Sequence, residues 1–265
     1  MQFRREATQR VSFMIDADHV RTIEGGAADS RKLKAGEHYF RLWLSEMFLK
    51  FDRDWFAGWH PVVLSTIAFQ FGDQQPEIVT RVAGAKDLKN LSKENLDKAL
   101  GQGVDLTPLI PFNGGTVTIT AALLAMQGGN EVEQLIGEVA DFSKKFALAQ
   151  LSGLLDVAGS LATRVAALVG APDCMMTALD RTFSGAADAE NVLRAGYLVA
   201  IAANEWELDR GNLWVKGGRL HYGESFEESE RLSGYSYTVF RLECADTRDD
   251  FDSLSAIQEP APSTC

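Results

Sequence analysis

The chain has 265 residues, 46% of them hydrophobic and 24% charged, which is typical of a globular protein long enough to bury a substantial core. Its formal net charge is −11, from 37 acidic and 26 basic residues. Because such a charge repels polyanions, we expect no nucleic-acid partner, and a membrane surface is disfavoured as a partner.

The cysteines and the N-terminal residues indicate the cellular compartment in which the protein resides. Cys174, Cys244 and Cys265 show no C-x-x-C spacing, so neither a disulfide framework nor a zinc finger is expected. The first ten residues, MQFRREATQR, lack the apolar segment of a secretory signal, and no stretch has the roughly 20 apolar residues of a membrane span. We therefore predict a cytoplasmic protein in a reducing environment.

Strands dominate the predictions for the first half of the chain. Residues 10–23 predict a strand followed by a polar turn, and 92–100 predict a short helix opened by Ser92. The other strands are favoured by β-branched and aromatic residues between turn signals, at 39–51, 61–71, 77–82 and 116–123.

The pattern becomes helical from residue 131 to residue 169. Apolar residues there recur at the i, i+3, i+4 and i+7 spacing of an amphipathic helix, in two stripes that meet near residues 147–150. Gly170 and Pro172 end the run. Two helices, or one long kinked helix, fit this pattern.

Strand patterns return after Cys174 and complete the predicted fold. They lie at 175–183, 196–203, 213–216, 219–222 and 235–244, with Gly217-Gly218 as a hairpin turn. The order predicts an α+β fold, namely a mainly antiparallel, sandwich-like β-sheet with a helical pair at about 131–169 inserted between strand groups. We predict a single domain over 1–259 and a disordered tail over 260–265.

One short motif suggests catalysis. Asp16 and Asp18 follow an apolar strand, an arrangement that resembles the aspartate nucleophile and acid/base of haloacid-dehalogenase-type phosphatases, which use magnesium. His19 adds a third side chain that could bind a metal. The alternative interpretation is a solvated turn at the end of a strand. Because none of the common catalytic or nucleotide-binding motifs is present, we predict no cofactor.

Aromatic and acidic clusters suggest a protein partner instead. Trp55 and Trp59 lie in a connector dense in aromatic residues, which are common at interfaces and in cores. Acidic loops contribute Glu227, Glu228 and the pair Asp249-Asp250. These six residues are the predicted partner-binding candidates.

Three functions follow in order of preference. The first is a non-enzymatic interaction or scaffold protein of the bacterial cytoplasm, because the sequence has no catalytic signature and no nucleic-acid footprint but has acidic loops and aromatic residues. The layout of 43–84 and 108–126 is similar to that of bacterial proteins from multi-component conflict systems, with no shared motif. The second is a membrane-perturbing effector that uses helices at 131–169, an architecture similar to that of pore-forming proteins such as gasdermins, with no shared motif. The third is a metal-dependent hydrolase centred on Asp16 and Asp18.

Overall fold

The structure is a computed structural model that describes residues 11–22, 28–50, 59–71, 77–84, 103–127, 175–186, 189, 191–204, 207–248 and 251–253. Of these residues, 59% lie in strands and 4% in helices. The helices are 3-10 turns at Ala17–His19 and Arg210–Asn212. Within the described ranges, no helix has the length and apolar character needed to cross a membrane.

The strands are numbered in chain order. Those of the first half are β1 (Val11–Ile15), β2 (Val20–Arg21), β3 (Tyr39–Phe48), β4 (Trp59–Gln70), β5 (Glu77–Ala83), β6 (Val104–Asp105), β7 (Ile110–Pro111) and β8 (Thr116–Gln127). Those of the second half are β9 (Met175–Ser184), β10 (Gly196–Ile201), β11 (Leu213–Lys216), β12 (Arg219–Tyr222), β13 (Glu230–Arg231), β14 (Tyr237–Ala245), β15 (Thr247–Arg248) and β16 (Phe251–Ser253).

The strands form three larger sheets and a separate pair, β15 with β16. The central sheet has the order β1-β10-β14-β3-β6, and β7 also pairs with β3. The long-strand sheet has the order β5-β4-β8-β9, and both of these sheets are antiparallel. The small sheet has the order β13-β12-β11-β2, in which β2 pairs with β11 in parallel.

A first hydrophobic core joins the central and long-strand sheets. Alternate residues of each strand enter it, as the period of two requires. From the central sheet come Phe40, Leu42, Leu44, Leu198, Ala200, Phe240 and Leu242, and from the long-strand sheet Val63, Ile67, Phe69, Val117, Ile119, Leu123, Leu179 and Phe183. Phe40 and Phe69 meet edge to face, with ring centroids 6.4 Å apart, and so bridge the two sheets.

A second core lies on the opposite face of the central sheet. It combines Val11, Phe13, Ile15, Tyr197, Val199, Ile201, Tyr237 and Val239 of that sheet with Val20, Leu213, Val215 and Leu220 of the small sheet. The central sheet is therefore covered on both faces along β10. This explains why β10 (GYLVAI) is almost uniformly apolar rather than alternating.

A β-bulge at Ser45 redirects the second half of β3. Leu44 is opposite Phe240, whereas Glu46 is opposite Val239, so Ser45 is the extra residue. Leu44 faces the first core before the bulge and Met47 faces it afterwards. The extra residue thus turns Glu46 toward the small sheet.

Glu46 connects the central and small sheets through a buried carboxylate. Among the described residues it is the only acidic side chain in the interior, at 1% exposure. Its Oε2 accepts hydrogen bonds from the Leu220 N–H (2.8 Å) and the Tyr237 hydroxyl (2.9 Å), and its Oε1 pairs with Arg231 at 2.8 Å. Burial raises the pKa of Glu46, while Leu220, Arg231 and Tyr237 act to lower it.

Close backbone contacts explain the Gly114-Gly115 turn before β8. Gly115 has a φ of +79°, and a Cβ there would lie 2.0 Å from the Gln70 carbonyl oxygen at the end of β4. Gly185 approaches the same turn, since its N–H donates to the Gly115 carbonyl at 2.6 Å. Only a residue without a side chain allows these three segments to meet.

The α+β prediction is wrong, because the described residues form a nearly all-β structure of antiparallel sheets in which no helix reaches seven residues. The predicted helical pair at 131–169 lies outside the described residues, as does the helix predicted at 92–100. The physical reason for the error is that both hydrophobic cores of the described residues form between sheets, so neither of these cores is built on a helix. The strands predicted at 61–71 and 116–123 are confirmed.

Replacement of Gly115 by alanine should destabilise the protein strongly. The new methyl group would collide with the Gln70 carbonyl, and the residue would keep a left-handed φ, so we expect the free energy of unfolding to fall by about 3 kcal/mol or more. Gly234→Ala is the matched control, because a Cβ there meets nothing within 4 Å, and its effect should stay within about 0.5 kcal/mol. Urea unfolding measures both, and equal effects would contradict the close approach.

Glu46 should give the protein a specific pH dependence, measured against Glu46→Gln. Burial raises the native pKa of Glu46 above the 4.5 of an ordinary glutamate, so the native state binds this proton more tightly than the unfolded chain does. The unfolding free energy of the wild type relative to Glu46→Gln should be highest below pH 4.5 and fall as the pH rises toward the native pKa. Urea unfolding of both proteins between pH 4 and 8 tests this, and a relative stability that rises with pH would contradict it.

Candidate protein-interaction surface

The outward face of the small sheet presents aromatic and cationic side chains. In β11 the alternation buries Leu213 and Val215 and leaves Trp214 and Lys216 on the opposite face, partly exposed. His221 of β12 is directly opposite Trp214 in the hairpin. Strand periodicity therefore places these polar and aromatic groups on one surface.

Phe226 forms the centre of this surface. The Nζ of Lys216 lies 4.6 Å and the Cζ of Arg21 5.6 Å from the centroid of its ring. The Trp214 ring is 6.0 Å from Phe226 and contacts the His19 ring on another side at 4.2 Å. We call these five residues the Trp214 cluster, and each cation–π contact of this kind contributes about 0.5–1 kcal/mol at exposed sites.

The loop after β12 holds Phe226 over the sheet. The Ser229 hydroxyl donates to the Phe226 carbonyl at 2.9 Å, and the Lys216 ammonium donates to the Ser229 carbonyl at 2.9 Å. The Trp214 indole N–H donates to the Gly223 carbonyl at 2.9 Å. The loop is thus attached to the sheet by hydrogen bonds as well as by ring contacts, and the cluster has a defined shape before any partner binds.

Acidic side chains border the cluster. Glu227 and Glu228 follow Phe226 directly and are exposed. The Glu228 N–H donates to the Ser225 hydroxyl, and that hydroxyl donates to the Glu228 carboxylate at 3.3 Å. The surface therefore combines apolar rings, two cations and an acidic rim, a mixture typical of protein interfaces.

His221 does not add to the positive charge of this surface at neutral pH. Burial lowers its pKa first, and the charges of Lys216, Arg231 and Arg219 lower it further, while a hydrogen bond to the Ser229 carbonyl opposes them. The positive charge beside Phe226 comes from Arg21 and Lys216.

The segment predicted as a metal or catalytic site becomes part of this surface. Asp16 precedes the 3-10 turn Ala17–His19 without a side-chain capping bond, and the Asp18 carbonyl accepts a hydrogen bond from Arg21 at 3.0 Å. His19 lies against Trp214. Within the described ranges, no group of three or more His, Cys, Asp or Glu side chains could hold a metal ion. The hydrolase hypothesis thus gains no support from the geometry.

The predicted partner-binding residues are only partly covered by the structure. Trp55, Asp249 and Asp250 lie outside the described residues, and Trp59 begins β4 with a side chain that is not described. Glu227 and Glu228 lie at the border of the Trp214 cluster.

Sequence reasoning missed Trp214, Lys216 and Phe226. A signal for two of them was present, since the alternation of Leu213-Trp214-Val215-Lys216 before a two-glycine turn places Trp214 and Lys216 on the outer face. No comparable pattern marks Phe226, whose position depends on the fold of its loop.

Comparison of the chain with protein-family models, with curated proteins and with solved structures found no match. The function is therefore inferred from the geometry of the described residues.

Phe226→Ala should destabilise the protein mildly without unfolding it. The variant loses two cation–π contacts and one ring contact at a partly exposed site, so we expect a decrease of about 1 kcal/mol in the free energy of unfolding. Urea unfolding followed by Trp fluorescence measures it. A loss above about 3 kcal/mol would show that Phe226 is a core residue and would contradict its place on a surface.

Proposed function

We propose that the chain is a non-enzymatic protein-interaction component of the bacterial cytoplasm that binds a partner protein through the Trp214 cluster. The observation that carries this proposal is the set of contacts around Phe226, in which Trp214, Arg21 and Lys216 surround one outward ring. Trp, Tyr and Arg are the residues most often found at the energetic centres of interfaces.

The surface also indicates the chemistry of the partner. A partner segment with an apolar or aromatic side chain would pack on Trp214 and Phe226, and a carboxylate beside it would face Arg21 and Lys216. A basic residue at its edge would face Glu227 and Glu228. A nucleic acid or an anionic membrane fits less well, because the acidic rim and the net charge of −11 repel a continuous row of negative charge.

The alternative functions are not favoured by any described contact. The membrane-perturbing hypothesis rests on 131–169, which lies outside the described residues. The hydrolase hypothesis rests on Asp16 and Asp18, and among the described residues no group of three or more His, Cys, Asp or Glu side chains could hold its metal ion.

The test is a comparative purification from the native host. Tagged wild-type protein should retain a partner at near-equal stoichiometry, while Lys216→Glu and Phe226→Ala should reduce that partner at least tenfold, because hot-spot changes cost about 2 kcal/mol or more. Quantitative mass spectrometry of the eluates gives the ratio.

Arg81→Glu is the matched control. Arg81 is an exposed arginine of β5 in the long-strand sheet, so its replacement changes the net charge by the same amount as Lys216→Glu at a remote site. The proposal is supported if Arg81→Glu retains the partner while Lys216→Glu and Phe226→Ala lose it. Equal loss in Arg81→Glu and Lys216→Glu, retention in all variants, or the absence of a stoichiometric partner would overturn it.

A further inference from the structure

A second group of polar side chains lies on the central sheet. Tyr197, Arg241, Trp43 and Asp105 are directly opposite one another across β10, β14, β3 and β6. Directly opposite residues of antiparallel strands have Cβ atoms about 5 Å apart, so these four side chains form one row on the same face. Arg241 and Asp105 are exposed, and Trp43 is partly exposed.

The carboxylates near this row already have cationic partners. Glu243 accepts hydrogen bonds from Arg41 at 2.9 Å and from the Trp43 indole N–H, and Arg41 stacks on Trp43 with its Cζ 4.1 Å from the ring centroid. Asp29 is paired with Arg31 at 3.0 Å. Both carboxylates thus have a hydrogen-bonded cationic partner other than Arg241.

Arg241 has no comparable partner. It makes no hydrogen bond or ion pair with any residue in the part of the chain that the structure describes. Its guanidinium acts on Asp29 through a charge–charge interaction, and its planar set of donors matches a carboxylate in a two-bond geometry.

Arg241 and Tyr197 line a small cleft together. The cleft has a volume of about 90 Å³, and Thr22, Asp29 and Gly196 also border it. Tyr197 is only 8% exposed, and its hydroxyl has no hydrogen-bond partner among the described residues. Since one liquid water occupies about 30 Å³, the space suits an anion of a few heavy atoms.

The protonation states at the cleft are well defined at neutral pH. Burial raises the pKa of Tyr197, so its hydroxyl stays protonated and can donate a hydrogen bond. Burial opposes ionisation of Asp29, but hydrogen bonds from Arg31 and the charges of Arg31 and Arg241 lower its pKa, so Asp29 is ionised. An incoming anion therefore meets two donors and a nearby negative charge.

We propose that this cleft binds a carboxylate monoanion, held by two hydrogen bonds from Arg241 and one from the Tyr197 hydroxyl. A single negative charge is favoured over a double one, because the ionised Asp29 and the Glu243 carboxylate both border the cleft. The cleft shares no residue with the Trp214 cluster, and its existence does not depend on the proposed protein interaction.

Acetate is the probe for this site, with labelled arginine side chains as the readout. The Nε–H signals of protein labelled with ¹⁵N-arginine are recorded at pH 7 and constant ionic strength, and the Arg241 signal is assigned by its absence in Arg241→Gln. Acetate should shift this signal saturably and leave the signal of Arg81 unchanged. Tyr197→Phe keeps the ring but removes one donor, so it should weaken acetate binding roughly tenfold.

Inorganic phosphate and chloride distinguish the alternatives. Weaker binding of phosphate than of acetate, with no saturable effect of chloride, supports a carboxylate site. Tighter binding of phosphate would overturn the preference for a monoanion. A shift that is linear in acetate, is reproduced by chloride, or is unchanged in Tyr197→Phe would overturn the site itself.

Discussion

The buried carboxylate of Glu46 is the contact on which the arrangement of the sheets depends. It belongs to the central sheet, yet its oxygens are bonded to Leu220 of the small sheet and to Arg231 at the edge of that sheet. The bulge at Ser45 makes this possible, because without the extra residue Glu46 would face the first core, where it would find no donors. The turn of the β11–β12 hairpin also approaches the bulge, since a Cβ on Gly218 would lie 3.5 Å from that of Ser45. One irregular residue in β3 thus positions the sheet that carries the Trp214 cluster.

The strands could be predicted from the sequence, but their grouping into sheets could not. Residues 61–71 and 116–123 show β-branched, apolar patterns between turn signals, and both form strands. The strand predicted at 39–51 departs from a simple alternation because the bulge shifts its period by one residue, so that Leu44 and Met47 face the same core. The α+β prediction depends on the helical stripes at 131–169, which lie outside the described residues. Which strands pair is decided by contacts between residues far apart in the chain, and local periodicity contains no information about them.

In the candidate site too, some residues could be predicted from local sequence patterns and others depend on contacts between distant parts of the chain. Glu227 and Glu228 were predicted as a partner surface from their charge, and they border the aromatic cluster. The sequence pattern predicted a hairpin that contains Trp214 and Lys216. It did not predict their role, because the alternation of a strand does not show which residues of other segments pack on its outer face. Phe226 reaches Trp214 only because its loop folds back by hydrogen bonds to Ser229 and Lys216. Arg241 and Tyr197 are brought together by strand register, which no short motif reveals.

The central claim is that Glu46 holds the small sheet in place and so maintains the binding face. Amide hydrogen exchange of Glu46→Ala, compared with the wild type, tests it most directly, because exchange reports local opening residue by residue. The account predicts that amides of β11 and β12 lose most of their protection while those of β8 and β9 keep theirs. Unchanged protection of β11 and β12, or an equal loss in all four strands, would contradict the claim that this one carboxylate anchors the small sheet.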